Sequence, residues 1–214
     1  MSDPYADDII AIYQEHAAAF EAQRNAHRLI EADWLAAFRD LLPAAAPRVL
    51  DIGCGTGTPI ARHLIAQGCL VTGLDTSEPL LASAKASFPD HRWIAADMRR
   101  FACTEMFQGL IAWHSFFHLR PDDQRPMFDR FRRWAEPGAA LMFTSGPSQG
   151  HAIGQFEGRP LYHGSLDKGE YRQLLAANGF EVVRHVENDA TCGGATVWLA
   201  RHTGSQGSVS YTHL

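Results

Sequence analysis

The stretch that decides the fold is Val49-Leu50-Asp51-Ile52-Gly53-Cys54-Gly55-Thr56-Gly57. Its apolar residues predict a short strand buried on both faces, and its three glycines predict a tight turn that brings the backbone close to a ligand. The pattern from about Thr58 to Gln67 predicts a helix whose unpaired N–H groups point at that ligand. Strand, glycine-rich turn and helix are together typical of sites for nucleotide-like ligands at the carboxyl edge of a parallel sheet.

The spacing of these glycines fits neither of two phosphate-binding patterns. The dinucleotide pattern G-x-G-x-x-G needs its third glycine at position 58 or 60, where the chain has Thr58 and Ile60. The phosphate loop needs a lysine, and none lies near this turn. Asp51 points the same way, because a carboxylate repels phosphate but attracts an ammonium or sulfonium group.

VLDIGCGTG resembles the first motif of the class I S-adenosylmethionine-dependent methyltransferases, [VIL]-L-D-x-G-x-G-x-G, along its whole length. Three later segments resemble further landmarks of that family in the expected order: VTGLDTS (71–77), WIAADM (93–98) and GLIAWHSFFHL (109–119). The resemblance covers roughly residues 47–202. It implies a three-layer α-β-α Rossmann-like fold with a mostly parallel seven-stranded sheet and an antiparallel last strand.

The resemblance also implies a cofactor, S-adenosylmethionine, with S-adenosylhomocysteine as the product. Asp75 would bind the ribose hydroxyls, Asp97 with Met98 would bracket the adenine, and Asp51 would hold the amino group of the donor. Asp75 is equally suited to form a turn or cap a helix, and Met98 and Trp113 are equally suited to the core. The full set of expected cofactor-binding residues is Tyr13, Arg24, Asp51, Gly53, Gly55, Gly57, Asp75, Thr76, Asp97, Met98 and Trp113.

The acceptor side is predicted from residues near the transferred methyl group. His114 is the candidate general base, because imidazole titrates near neutral pH; the alternative is a buried polar residue at a strand end. For His118 the alternative is a cap on the next helix. No metal is expected, because a strand followed by a turn does not place these two histidines on one face. The remaining candidates for contact with the substrate are Phe117, Glu157, Tyr162 and His163.

Composition narrows the possible functions. The 214 residues are 46% hydrophobic and carry a formal net charge of −5, which suits one domain and lacks the basic footprint of a nucleic-acid-binding protein. The arginines between 99 and 133 alternate with acids, which predicts a salt-paired surface. The four cysteines form no C-x-x-C pair, and no membrane-length apolar run or signal segment is apparent. We expect a cytoplasmic monomer or homodimer that acts on a small molecule.

The resemblance implies one methyltransferase domain over residues 1–203 with a helical cover at about 1–44, and hydrophobic periodicity predicts that helices 5–22 and 27–42 form this cover. Tyr13 and Arg24 in this cover resemble positions that touch the methionine end of the donor. A kink or restart is expected near Pro126, and Ser165 is a possible cap for a helix at 167–177. Residues 146–165 are predicted to be a long loop and a candidate lid, and residues 204–214 a disordered or non-native tail.

Three rival functions remain open at this stage. A nicotinamide oxidoreductase on a related sheet is disfavoured by the missing third glycine and by the charge of Asp51. A non-catalytic S-adenosylmethionine-binding module is compatible with every motif, because no acceptor-side residue is secured by the sequence. Donor chemistry other than methylation is the third.

Overall fold

The computed structural model describes residues 4–26 and 28–204. Seven strands form one central sheet, and two more form a separate hairpin. In chain order the strands are β1 (Arg48–Ile52), β2 (Leu70–Asp75), β3 (Arg92–Ala95), β4 (Phe107–Ala112), β5 (Ala135–Ser145), β6 (Gly150–Phe156), β7 (Arg159–Ser165), β8 (Phe180–Asp189) and β9 (Ala195–His202).

The sheet has the strand order β3-β2-β1-β4-β5-β9-β8, with β9 antiparallel to both of its neighbours. The pairs from β3 through to β5 are all parallel. The expected mostly parallel sheet of seven strands with an antiparallel last strand is therefore confirmed. The strand order reverses between β1 and β4, and ligands of open α/β sheets bind in the crevice beyond the carboxyl ends at such a point.

Helices cover both faces of the sheet. They are α1 (Pro4–Asp7), α2 (Ile9–Glu15), α3 (Ala17–Ala26), α4 (Ala32–Asp40), α5 (Ile60–Ala66), α6 (Glu78–Ser87), α7 (Pro121–Trp134) and α8 (Lys168–Ala177). On one face, α7 and α8 pack against the sheet in a core that includes Leu50 and Ile52 of β1. On the other face, α4 and α5 pack in a second core that includes Val49. Alternate residues of β1 thus enter opposite cores, as expected of a strand covered on both sides.

The N-terminal region is more broken than its periodicity predicts. The expected helix 5–22 is divided into α1, α2 and α3, with breaks at Asp8 and His16, and the helix expected from residue 27 begins at Ala32. Within α2, Ile9 and Ile12 are buried, whereas Ile10 is exposed. The hydrophobic pattern located the buried face correctly but not the interruptions.

The expected restart at Pro126 is wrong, because α7 runs without interruption from Pro121 to Trp134. Its fully or nearly buried residues include Met127, Phe128, Phe131 and Trp134. Burial of such side chains contributes roughly 1.5–3 kcal/mol each. Together they outweigh the cost of about 3 kcal/mol for a proline inside a helix.

The long loop expected at 146–165 is also wrong, since most of it forms the antiparallel hairpin of β6 and β7. Glu157 and Gly158 form its two-residue turn, and both have positive φ, as the tightest hairpin turns require. The cap of α8 is Asp167, which accepts a hydrogen bond from the Gly169 N–H, rather than Ser165.

Three further observations concern the surface, the chain end and the character of the helices. The arginines of 99–133 do form ion pairs, with Asp97, Asp129 and Glu170 among their partners. The predicted tail 204–214 lies, from residue 205 onward, outside the described residues. No helix within 4–26 and 28–204 combines the length and the apolar character needed to cross a bilayer.

Candidate active site

The glycine-rich turn after β1 is fixed by its backbone conformation and by its neighbours. Gly53, Gly55 and Gly57 all have positive φ, between 54° and 75°. The N–H groups of Gly53 and Cys54 both donate to the Leu74 carbonyl at the end of β2, at 2.6 and 3.0 Å. A Cβ at Gly53 would overlap the Ser115 side chain. This turn therefore needs glycine both for its conformation and for close packing.

Two carboxylates, one buried and one half-buried, lie beside this turn. Asp75 accepts hydrogen bonds from the Gly55 N–H at 2.8 Å and the Ser77 N–H at 2.9 Å. Burial raises its pKa, although these hydrogen bonds oppose the shift. Asp51 is 2% exposed, and its Oδ2 has no hydrogen-bond partner among the described residues. Burial, and then the charge of Asp75, raise the pKa of Asp51 to about 7.

Asp97, just beyond β3, is held by its neighbour Arg99. The guanidinium Nη2 donates to Oδ2 at 2.6 Å, and the Arg99 backbone N–H donates to Oδ1 at 2.8 Å. Burial opposes the shift, but these hydrogen bonds lower the pKa of Asp97. Asp97 is thereby kept ionised and fixed in orientation at the rim of the crevice.

These groups open into one cavity of about 600 Å³ beyond the carboxyl ends of β1, β2 and β4. That volume is within the usual range for a small-molecule site, roughly 300–1,000 Å³. Most of the residues predicted from the sequence line it: Tyr13, Arg24, Asp51, Gly53, Gly55, Asp75, Thr76, Asp97, Met98, Trp113, His114, Phe117, His118 and His163. Of the polar groups in this lining, the Trp113 indole N–H has no hydrogen-bond acceptor among the described residues.

The helices α2 and α3 close the cavity from above. Tyr13 is anchored at two points: its carbonyl accepts a hydrogen bond from Ser77 Oγ at 3.1 Å, and its hydroxyl bonds His118 Nε2 at 3.0 Å. Phe20 packs on the backbone of Gly55. Arg24 faces the cavity and pairs with the buried Glu31 carboxylate at 3.1 Å.

His118 is locked by its neighbours. Its Nδ1 lies 2.8 Å from the Tyr162 carbonyl, which can only accept, so Nδ1 carries the proton and Nε2 accepts from the Tyr13 hydroxyl. Burial lowers the pKa of His118 to about 3. The alternative role as a helix cap is wrong, because Arg120 is the N-cap residue of α7. His118 instead connects α2, the segment after β4, and strand β7.

His114 also lines the cavity, and its backbone has a left-handed conformation with φ of 50°. Its side chain is exposed to the cavity, and desolvation by the surrounding protein atoms and then the charge of Arg24 lower its pKa to about 4. Its ring lies between Trp113 and Phe117, at centroid distances of 5.3 and 5.7 Å. His163 stacks on His118 at 5.1 Å, and burial lowers its pKa. At neutral pH these imidazoles are uncharged.

Three predicted site residues lie outside the cavity lining. Gly57 packs against Trp93, and Glu157 is exposed at the tip of the hairpin. Tyr162 is buried outside the cavity lining, and its carbonyl contacts the lining residue His118. The expected lid therefore acts as a support: β7 supplies His163 to the cavity, and Arg159 pairs with Glu15 of α2.

Several residues of the site escaped the sequence analysis. Phe20 had a usable signal, because in the predicted helix 5–22 it shares one apolar face with Ile9 and Tyr13. Arg99 and Ser115 had none, since each acts through a contact set by the fold, with Asp97 and with the Ile52 carbonyl respectively. Glu31 pairs with Arg24 across the segment between α3 and α4, and hydrophobic periodicity does not predict such a contact.

The fold and the crevice define a Rossmann-like methyltransferase architecture. The family described as "Methyltransferase domain" matches residues 49–138. Residues 49–138 are thus similar to the methyltransferase domain of the class I S-adenosylmethionine-dependent methyltransferases, and the resemblance expected from the sequence is confirmed.

Curated relatives resemble only part of the chain. It is 31% identical to a malonyl-[acyl-carrier protein] O-methyltransferase from Enterobacter lignolyticus over 143 residues, which are 66% of this chain and 55% of that protein. It is 33% identical to a trans-aconitate 2-methyltransferase from Variovorax paradoxus over 103 residues, which are 47% and 38% of the two chains. The chain thus spans about half the length, or less, of these relatives.

Solved structures resemble the whole fold. The 1,6-didemethyltoxoflavin-N1-methyltransferase of Burkholderia thailandensis, with its substrate and S-adenosylhomocysteine bound, superposes with a TM-score of 0.74 at 20% identity, covering 95% of this chain and 92% of that one. An amino pentose methyltransferase from Micromonospora echinaspora with bound S-adenosylmethionine gives a TM-score of 0.67 at 22% identity, covering 89% and 97%. At these identities the likeness establishes the fold.

Proposed function

We propose that the protein transfers a methyl group from S-adenosylmethionine to a small-molecule acceptor. The observation that carries the proposal is the unpartnered Oδ2 of buried Asp51, which lines the same cavity as Asp75. A buried carboxylate without a partner is costly unless a ligand supplies a cation or a hydrogen-bond donor. A ligand with an amino group and ribose hydroxyls satisfies both carboxylates, whereas a phosphorylated ligand adds repulsion.

The other lining residues fit the remaining parts of that donor. We assign Asp97 and Met98 to the adenine, Asp75 and Thr76 to the ribose, and Arg24 to the carboxylate. When bound, the cofactor supplies an activated methyl group on a sulfonium, so the protein mainly provides alignment and a dry cavity. Alignment of reacting groups can contribute roughly 7–11 kcal/mol. The enclosure formed by α2, α3 and β7 favours a small acceptor over a macromolecule.

Isothermal calorimetry with S-adenosylhomocysteine tests the donor assignment. We expect binding by the wild type and a loss of affinity of roughly 100-fold or more in Asp75→Ala, because each hydrogen bond from a ribose hydroxyl to the charged carboxylate is worth about 1.5–3 kcal/mol. Asp75 also anchors the glycine turn through the Gly55 N–H. Asp90→Ala, at an exposed position, is the control. Unchanged affinity in Asp75→Ala would refute the ribose assignment, and stabilisation by NAD(H) alone would favour an oxidoreductase.

Catalysis is tested by release of S-adenosylhomocysteine from S-adenosylmethionine across an acceptor panel. Tight donor binding with no acceptor-dependent release would favour a binding module instead. We further propose that residues 1–203 form one domain with residues 1–44 as its cover, acting in the cytoplasm as a monomer or homodimer without nucleic acid. The four cysteines, all free thiols, support a reducing compartment.

A further inference from the structure

The acceptor end of the cavity is built largely from aromatic rings. We define this acceptor wall as Tyr13, Trp113, His114, Phe117, His118 and His163, all of which line the cavity. Phe117 lies at its centre, with ring centroids 4.8 Å from His118 and 4.9 Å from His163. Rings held at these distances present faces and edges suited to a planar aromatic partner.

The lining offers no spare cation to an acidic acceptor. Within the described part of the chain, three guanidinium groups line the cavity, and each has a carboxylate partner: Arg24 with Glu31 at 3.1 Å, Arg99 with Asp97 at 2.6 Å, and Arg120 with Asp7 at 2.6 Å. The carboxylates of buried Asp51 and half-buried Asp75 face the same space. Arg24 is in addition assigned to the carboxylate of the donor, so an acceptor carboxylate would meet repulsion without a compensating charge.

The wall also lacks a strong base. Both nitrogens of His118 are engaged by Tyr13 and by the Tyr162 carbonyl. His114 is open to the cavity beside the rings of Trp113 and Phe117, and desolvation by the surrounding protein and then the charge of Arg24 disfavour its protonated form; burial disfavours that of His163. A group that binds a proton weakly removes one poorly from a phenol or an alcohol.

From the wall, the paired cations and the engaged His118, we propose that the acceptor is an uncharged planar aromatic or heteroaromatic compound. It is methylated at a nitrogen whose lone pair is available at neutral pH, such as a ring-borne amine. The inference rests on the proposed function and narrows it. It also separates this chain from the acid and acyl-carrier substrates named for its curated relatives.

The step needs no co-reactant beyond the donor. The nitrogen lone pair forms the new bond to the methyl carbon, and the bond from that carbon to sulfur breaks with its electron pair kept by sulfur. The methylated nitrogen then carries a positive charge and loses its proton to water or to His114. The ring faces of the wall stabilise positive charge as it develops on the nitrogen.

The first test compares two compounds that differ in one group, 5-aminoquinoline and quinoline-5-carboxylate, by calorimetry on protein saturated with S-adenosylhomocysteine. We expect the amine to bind at least tenfold more tightly. Equal or tighter binding of the carboxylate, or no binding of the amine, would overturn the proposal. If S-adenosylhomocysteine itself does not bind, the proposed function fails before the acceptor is tested, so the two failures are distinguishable.

The second test concerns the wall and the nucleophile. Phe117→Leu should weaken amine binding roughly three- to tenfold, while Phe101→Leu, which removes a ring from the core beside Trp134, should not. Equal weakening in both variants would contradict the wall. With S-adenosylmethionine, 5-aminoquinoline should turn over faster than 5-hydroxyquinoline. An equal or faster phenol, or no turnover of the amine, would overturn the assignment of the nucleophile.

Discussion

Asp51 should make the stability of the ligand-free protein fall as pH rises. Its pKa is raised from an ordinary 3.8 to about 7 by burial and by Asp75, so the folded protein binds this proton more tightly than the unfolded chain. The penalty is absent below about pH 4, grows between pH 4 and 7, and is complete above pH 7. A gap of roughly three pH units corresponds to on the order of 4 kcal/mol.

Asp51→Asn removes this titration. We expect the variant to be more stable than the wild type by a few kcal/mol at pH 8 and to differ little at pH 4, as measured by urea unfolding at each pH. Removing the ionisation penalty contributes on the order of 4 kcal/mol. If the new amide leaves a donor unpaired, the gain is reduced by the cost of that donor, about 1–3 kcal/mol. Asp90→Asn, the same change at an exposed position, should leave the pH profile unchanged.

The same carboxylate links pH to ligand binding. If Asp51 holds the amino group of the donor, S-adenosylhomocysteine must bind better to the ionised carboxylate, so its affinity should rise between pH 6 and 8 in the wild type and less so in Asp51→Asn. Calorimetry in buffers of different ionisation enthalpy should then show proton release on binding near pH 7. Parallel stability curves for wild type and variant from pH 4 to 8 would refute the reasoning.

Two further outcomes test the turn and the cover. Gly53→Ala and Gly158→Ala both place a side chain at positive φ, but only the Cβ at position 53 would meet a neighbour, Ser115; urea unfolding should show a loss of roughly 1–2 kcal/mol for Gly158→Ala and a larger loss, with weakened S-adenosylhomocysteine binding, for Gly53→Ala. Equal losses would contradict this account. Tyr13→Phe, His118→Phe and the double variant should show a coupling energy of about 1 kcal/mol in a double-mutant cycle, and zero coupling would mean that this hydrogen bond contributes nothing.

The sheet was predictable because its strands carry strong local signals. Val49, Leu50 and Ile52 alternate between two cores, and the glycines that follow have few other uses in such a position. The antiparallel β9 was implied by the family resemblance rather than by periodicity, and the strand order was not predicted. The positions of Asp51 and Asp75 were predictable because both belong to central strands: Asp51 is the residue before the end of β1, and Asp75 ends β2.

The hairpin was missed because its sequence lacks the usual alternation. Most of β6 is exposed or half-buried, so apolar residues are not required on one face. Its turn uses Glu157 at positive φ, where Asn, Asp or Gly is the expected residue. The breaks at Asp8 and His16 carry no glycine or proline signal, and they follow from how α2 and α3 bend over the crevice to place Tyr13 and Phe20.

The features that the sequence predicted and those that it did not predict lie in different halves of the cavity. Its donor half is made of strand ends, whose positions are set by the sheet, so motifs within the sequence report it. The half that we assign to the acceptor is made where α2, the segment after β4 and β7 meet at His118, three parts that are distant in sequence; His118 makes one hydrogen bond to α2 and one to β7. Because these parts can change without disturbing β1 or its glycine turn, the same donor site can serve different acceptors. The substrate is therefore encoded in contacts between segments, which a motif in one segment does not contain.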